Sequence, residues 1–295
     1  MIGVSIGFYG VFGKKTLEGV KNLINIFEDL KLPPFIQLIS LCEGESLEKL
    51  ASELSKLKER FGIKYSIHQL MGVPFPGFYL NLASGNEKIK KSAIETTRKM
   101  IDFARIIKAA NVSFHGGYEA NIVSQKKEYG ILDIAEPISY QEAYNNVKEN
   151  FKILSDYNKG EIGLSIENLN YRPKKRYLFS RPEDFKHLPE GVEVLFDMAH
   201  AYYSQNKIKN PAYIKEMIDV VGGRITEIHV SDNDGTEDQH KLPGLGNIHF
   251  SEIFHQISEK QKMPPIIIES SQARHNYSEE DLKKSIKFIQ SICPK

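Results

Sequence analysis

The 295 residues suffice for two ordinary domains or one large α/β barrel, and 41% hydrophobic residues is a globular composition. Lys+Arg at 39 against Asp+Glu at 38 leaves a formal charge of +1, without the basic excess of a general nucleic-acid coat protein, though a local basic groove stays open. Two cysteines, Cys42 and Cys293, are too few for a disulfide framework or a Cys-rich zinc module; with no signal-like start in MIGVSIGFYG and no run of about 18 apolar residues, a soluble, unprocessed, cytoplasmic protein with no membrane partner is expected.

In chain order, β-branched runs predict strands over 2–7, 35–40, 63–68, 111–115, 162–167, 192–197, 225–230 and 266–269. Stretches with apolar residues at helical spacing fall between and after them, at 15–30, 47–60, 87–109, 139–157 and 279–292, the last with Leu282, Ile286, Ile289 and Ile292 along one face. Alternating β and α segments demand a parallel sheet. Eight units of roughly 37 residues each suit one closed (β/α)8 barrel. An open doubly wound sheet is the alternative, but GFYGVFG at 7–13 does not fit the Gly-rich phosphate turn such a sheet carries after its first strand. With no low-complexity linker and no short repeat, residues 1–295 read as a single domain.

Metal-capable residues end six of the predicted strands: His68 in YSIH, His115 in VSFH, Glu167 in LSIE, Asp197 in VLFD, His229 in EIHV and Glu269 in IIIE. In a parallel barrel all strands point the same way, so residues separated by 47, 52, 30, 32 and 40 positions converge on one mouth. His200, three residues after Asp197, and Asp238 and His240, in the loop after His229, lie just beyond. Alone, Asp197 reads as a helix N-cap and each histidine as a hydrogen-bonded loop residue. Together they read as a metal site, because Glu167 and Glu269 follow LSI and III, and carboxylates at the edge of an apolar barrel interior are costly without a cation. His187, His249, His255 and His275 fall on predicted helices or outer loops and read as surface or packing residues. Mixed His and carboxylate donors suit Zn, Mn, Fe or Co, with Zn or Mn leading and one to three ions in play. Glu167, Asp197, Asp238 and Glu269 carry about −4, so two dications balance them and three leave an excess of about +2, which favours an anionic substrate.

These residues, with YLNLAS at 79–84, FDMAHAYYS at 196–204, HVSDNDGTEDQH at 229–240 and PGLGNI at 243–248, resemble the xylose isomerase-like TIM-barrel superfamily over roughly residues 63–270. The resemblance to its sugar and sugar-phosphate isomerase and epimerase branch implies one metal shared by Glu167, Asp197, His229 and Glu269. Glu167 and Glu269 are then base and acid through an enediolate, and His200 polarises a substrate oxygen. The resemblance to the apurinic/apyrimidinic endonuclease IV family implies three zinc ions: one at His68, His115 and Glu167, one at Glu167, Asp197, His229 and Glu269, and one at His200, Asp238 and His240. Its partner is DNA with an abasic site. The nine-residue spacing from His229 to Asp238, the charge of +1 and the unmatched GFYGVFGKKTLEG segment place the isomerase or epimerase reading first, with a small sugar or sugar phosphate as substrate. The run Arg172-Pro-Lys-Lys-Arg176 follows Glu167 and reads as a solvated loop or a phosphate contact at the mouth.

Overall fold

The computed structural model describes residues 1–6, 16–40, 46–71, 80–125, 132–189 and 191–294. Within them the elements run β1 (Ile2–Ile6), α1 (Thr16–Asp29), β2 (Phe35–Ser40), α2 (Leu47–Phe61), β3 (Lys64–Met71), α3 (Glu87–Ile107) and β4 (Asn111–Phe114). They continue through β5 (Ala120–Gln125), β6 (Leu132–Pro137), α4 (Tyr140–Asn158), β7 (Gly163–Glu167), β8 (Glu193–Asp197), α5 (Met198–Ile208), α6 (Tyr213–Val221) and β9 (Ile225–Val230). The last are α7 (Phe250–Ser258), β10 (Ile266–Ile268), α8 (Gln272–His275) and α9 (Glu279–Ile292). β1, β2, β3, β4, β7, β8, β9 and β10 pair in parallel in that order, and β10 returns to β1 to close the barrel. The expected (β/α)8 barrel is therefore the fold. Gly7 and Lys15, at the edges of predicted elements, and Tyr79 of YLNLAS lie outside the described residues, as does Cys42.

Helices begin where the sequence supplies caps. Ser46, Asn86, Ser139 and Ser278 each accept a backbone N–H of their helix's first turn, and Ser278 with Asp281 forms a capping box. The amphipathic faces turn inward: Val20, Leu23, Ile24 and Phe27 of α1 and Leu282, Ile286 and Ile289 of α9 are buried in one core with the outward residues of the strands. No helix among the described residues is long and apolar enough to cross a membrane.

The antiparallel hairpin β5–β6, inserted between β4 and α4, has no counterpart among the expected elements. Asn81 anchors it, donating to the Ala120 carbonyl at 2.7 Å and accepting from the Tyr118 N–H at 3.1 Å.

The barrel interior differs from the expected apolar one. Apolar strand residues such as Tyr65, Ile67, Val112, Phe114, Leu164 and Ile166 belong to the core shared with the helices. Alternate positions carry Gln37, Ser66, His68, Asn111, Ser113, Ser165, Glu167, Glu227 and His229, all buried. They meet one another: Asn111 Nδ2 donates to Ser165 Oγ at 2.7 Å and Gln37 Nε2 to Glu227 Oε2 at 3.0 Å. The candidate metal residues thus cap a polar column.

Candidate metal centre

The strands deliver the residues as the alternation predicts, with His115 and Glu269 one position beyond β4 and β10 and His68 inside β3, which runs on to Met71 rather than ending at His68. Asp197 ends β8 and also caps α5: its Oδ1 accepts the His200 N–H at 2.7 Å, which leaves Oδ2 turned to the centre. The loop after β9 brings up Asp238 and His240. It is shaped by Asp232, whose carboxylate accepts from the backbone N–H groups of Asn233, Gly244 and Ile248, and by the paired bridge between Asp232 and Lys241. A side chain at Gly246 would sit 2.4 Å from Asp232 Oδ1, so the loop closes only over glycine. From α8, Arg274 donates to the Asp238 carbonyl at 3.1 Å, and His275 Nε2 lies 2.7 Å from the Gln239 carbonyl. His275 is thus a brace for this loop, while His255 is exposed beside Glu259.

All nine expected residues converge, and their donor atoms fall into three groups, each within 4.8 Å: His68, His115 and Glu167; Glu167, Asp197, His229 and Glu269; His200, Asp238 and His240. Glu167 joins the first two. Its Oε2 lies 3.0 Å from His115 Nε2 and 3.3 Å from His68 Nε2, and its Oε1 lies 3.5 Å from His229 Nδ1. His229 Nδ1 is 3.2 Å from Glu269 Oε2 and 3.8 Å from Asp197 Oδ2. In the third group Asp238 Oδ2 is 3.4 Å from His200 Nε2, and Oδ1 is 3.3 Å from His240 Nε2. Two donors bound at 2.0–2.2 Å to a tetrahedral ion stand roughly 3.4 Å apart, so these spacings fit shared cations.

Two further observations test that fit. Glu167 Oε2, Asp197 Oδ2, His229 Nδ1 and Asp238 Oδ1 are buried without a hydrogen-bond partner, and each is the atom turned toward its group. Such atoms are costly unless a cation meets them. In addition, partners on the far side of four imidazoles select the nitrogen that faces inward. His68 Nδ1 lies 3.0 Å from Ser113 Oγ, whose own proton goes to the Ile67 carbonyl, so the hydroxyl accepts from Nδ1–H and Nε2 is left bare. His200 Nδ1 lies 2.9 Å from the Asn168 carbonyl and His240 Nδ1 3.3 Å from the Glu269 carbonyl, again leaving Nε2. His229 is reversed: its Nε2 lies 2.8 Å from Gln37 Oε1, which leaves Nδ1. Asn168 also clamps Asp197, accepting from its N–H at 2.6 Å and donating to its carbonyl at 2.9 Å.

The electrostatics follow from this crowding. Burial pushes the Glu167 carboxyl up, but His68, His115 and His229 hold it well below the usual carboxylate range. Burial likewise opposes charge on Glu269 and Asp238, yet His229 brings Glu269 down to about 2, and His240 and His200 hold Asp238 well below its usual value. The imidazoles answer in kind: against burial, Asp197 and Asp238 raise His200, Glu269 and Glu167 raise His229, and Asp238 lifts His240 to about 9. Asp197 goes the other way, pushed up to about 6 by burial and by Glu167 and Glu269 in spite of His200. In the metal-free protein, protons on histidine supply the positive charge that the carboxylates demand.

Ser113, Asn168, Gln37, Glu227 and Asp232 are absent from the sequence-based set. The alternation S-x-H (66–68), N-x-S (111–113), S-x-E (165–167) and E-x-H (227–229) is the signal that identifies two of them, Ser113 and Glu227. The basic run divides in the structure. Arg176 donates to Glu119 and to the Glu119 and Ile138 carbonyls, whereas Arg172 packs its guanidinium 4.9 Å from the centre of the Tyr203 ring and Lys175 lies over Tyr177.

The profile of the xylose isomerase-like TIM barrel matches residues 35–292. An uncharacterised protein of Methanocaldococcus jannaschii is 29% identical over 262 residues, covering 84% of this chain and 80% of its own length. A probable endonuclease 4 of Thermotoga neapolitana is 23% identical over 228 residues, covering 72% and 73%. Among solved structures, a D-tagatose 3-epimerase-like protein superposes with a TM-score of 0.68 over 98% of both chains at 21% identity.

Proposed function

The chain belongs to the xylose isomerase-like TIM-barrel family, and from that premise we propose that it is a metal-dependent phosphoester hydrolase binding three divalent ions at the barrel mouth. The carrying observation is the completeness of three donor groups, with Glu167 divided between two of them. Bound there, Zn or Mn would act as a Lewis acid on the developing charge of a phosphoryl group and acidify a water enough to attack it near neutral pH.

The roles of the side chains follow from their contacts. Glu167 is committed at both oxygens and so serves as a bridge. Glu269, with 16% of its side chain exposed, is the carboxylate of the central group that can reach a water and orient it. His200 and His240 hold Asp238 from both sides at the third position. Three dications exceed the four carboxylates by about +2, which suits an anionic ester. Lys175, whose ammonium is attracted by Asp238, and Arg172 beside it bring positive charge toward the third group.

The reading placed first from the sequence, a sugar or sugar-phosphate isomerase or epimerase, becomes the second; the full-length likeness to the epimerase-like structure favours it. It needs only the central group and requires Glu167 to move a proton and His200 to polarise an oxygen. The contacts of Glu167 with His68 and His115, and of both His200 nitrogens, weigh against those roles. The test is a panel of phosphodiesters, including DNA with an abasic site, beside a panel of ketoses and their phosphates, assayed with Zn and with Mn. Metal-dependent ester cleavage that His240→Ala reduces at least tenfold is expected. Exchange of a carbon-bound ketose hydrogen with deuterated solvent, retained in His240→Ala and accompanied by no ester cleavage, would overturn the proposal in favour of the isomerase.

A further inference from the structure

Behind the central donor group lies a buried pair of side chains that the chemistry above does not use. Gln37, on β2, and Glu227, on β9, are separated by β1 and β10 around the barrel and meet inside it. Gln37 is fully buried and Glu227 is 2% exposed. The amide of Gln37 faces two ways. Its Nε2 donates to Glu227 Oε2 at 3.0 Å, and its Oε1 stands 2.8 Å from His229 Nε2. His229 follows Glu227 by two residues on the same strand, so both point inward, one above the other.

From this geometry we infer that Glu227 is a positioning residue: by fixing which end of the Gln37 amide faces His229, it sets the ring so that Nδ1 is the nitrogen presented to the central ion. An amide offers a donor and an acceptor of nearly the same shape, so Gln37 alone fits His229 in either orientation. A carboxylate oxygen beside it removes the choice. Turned over, Gln37 would set its oxygen against Glu227 Oε2, turning that buried hydrogen bond into a repulsion, and its NH2 toward the ring, which could keep a bond only by moving its proton from Nε2 to Nδ1. With Oε1 toward the ring, Nε2 must carry a proton, so when the ring is neutral, as a metal ligand must be, the lone pair is left on Nδ1. That atom has no hydrogen-bond partner and lies 3.2 Å from Glu269 Oε2 and 3.5 Å from Glu167 Oε1. Ser113 and the carbonyls of Asn168 and Glu269 select Nε2 as the inward nitrogen of His68, His200 and His240, and each does so as a fixed acceptor. His229 alone among these four depends on an amide that a second residue must orient.

The inference rests on the central group being a metal site, but its first test needs no metal. In the metal-free protein, NMR of 15N-labelled histidine reads the Nε2 proton of His229 and its exchange with water. Wild type should show a protected Nε2–H, and Glu227→Gln, which offers Gln37 a donor as readily as an acceptor, should lose at least tenfold of that protection. The double variant Gln37→Glu with Glu227→Gln returns a fixed acceptor to the ring and should restore it, which a general loosening of the barrel would not do. In a Co2+ titration, one of three equivalents should weaken about 10–100-fold in Glu227→Gln and recover in the double variant. Equal protection in wild type and Glu227→Gln, or failure of the double variant to rescue a folded protein, overturns the inference. Loss of protection in Glu227→Gln and its rescue by the double variant, in a wild type that takes up no metal, would uphold the control of the ring by Glu227 and refute the metal-centre reading instead.

Discussion

Loading the centre should expel protons, and the number follows from the three histidines whose basicity the carboxylates raise. His200 and His229 stand well above 6.5 and His240 near 9, so in the metal-free protein all three carry a proton at pH 7. Metal ligands must be deprotonated, so filling all three positions at pH 7 releases about three protons. The overall binding constant should then rise about 10³-fold per pH unit between pH 7 and 8. Below pH 6, Asp197 takes up a proton as well and the slope steepens toward about four. Above pH 9, His240 no longer contributes. Stability carries the same signature with the sign set by linkage. A histidine whose folded value is raised stabilises the metal-free fold fully below its unfolded value of about 6.5, and that contribution disappears as the pH rises through about 9. The melting temperature of the chelator-treated protein should therefore fall from pH 6.5 to 9, while the metal-loaded protein, whose imidazoles are already neutral, changes little. Calorimetric titration in buffers of different ionisation enthalpy counts the protons, and melting curves with and without chelator give the second reading. Release of fewer than about one proton at pH 7, with metal affinity flat from pH 6 to 8, would refute the reasoning.

Two substitutions probe how the site is built. Ser113→Ala removes the acceptor that leaves His68 Nε2 bare, so the ion of the first group should bind about 10–100-fold more weakly by chelator competition, with the other two unaffected; unchanged affinity would remove Ser113 from the site. Gly246→Ala places a methyl 2.4 Å from Asp232 Oδ1 and 2.6 Å from the Asn233 carbonyl, and should cost about 1–3 kcal/mol in urea unfolding while weakening the ion at His200, Asp238 and His240; a variant as stable as wild type would contradict that account of the loop.

Much of this site is legible as residue type at a strand end. His68, Glu167, Asp197 and His229 occupy inward positions because the side-chain period of a strand is two, and a barrel turns that period into a single mouth. Asp197 is both the N-cap that its spacing to His200 suggests and a donor to the centre, since a carboxylate has two oxygens to divide. Less visible are residues whose role depends on strands distant in the chain. Gln37 interrupts the apolar run FIQLIS by one residue, and only closure of the barrel brings it to a partner 192 positions away. Ser113 and Glu227 are equally inconspicuous until YSIH, NVSF, GLSIE and ITEIHV are aligned by parity. The hairpin β5–β6 escapes the β/α alternation because it pairs with itself beside the barrel, anchored through Asn81 and through the bonds of Ser84 and Gly85 to Asn121.

The number of ions the protein holds tests the central claim most directly. Elemental analysis of wild type and His240→Ala, each equilibrated with excess Zn or Mn and then freed of loosely bound metal, should return about three ions per chain for the first and about two for the second, matching the three donor groups. One ion per chain in both proteins would contradict the three-ion centre and leave only the site shared by Glu167, Asp197, His229 and Glu269, as the isomerase reading requires.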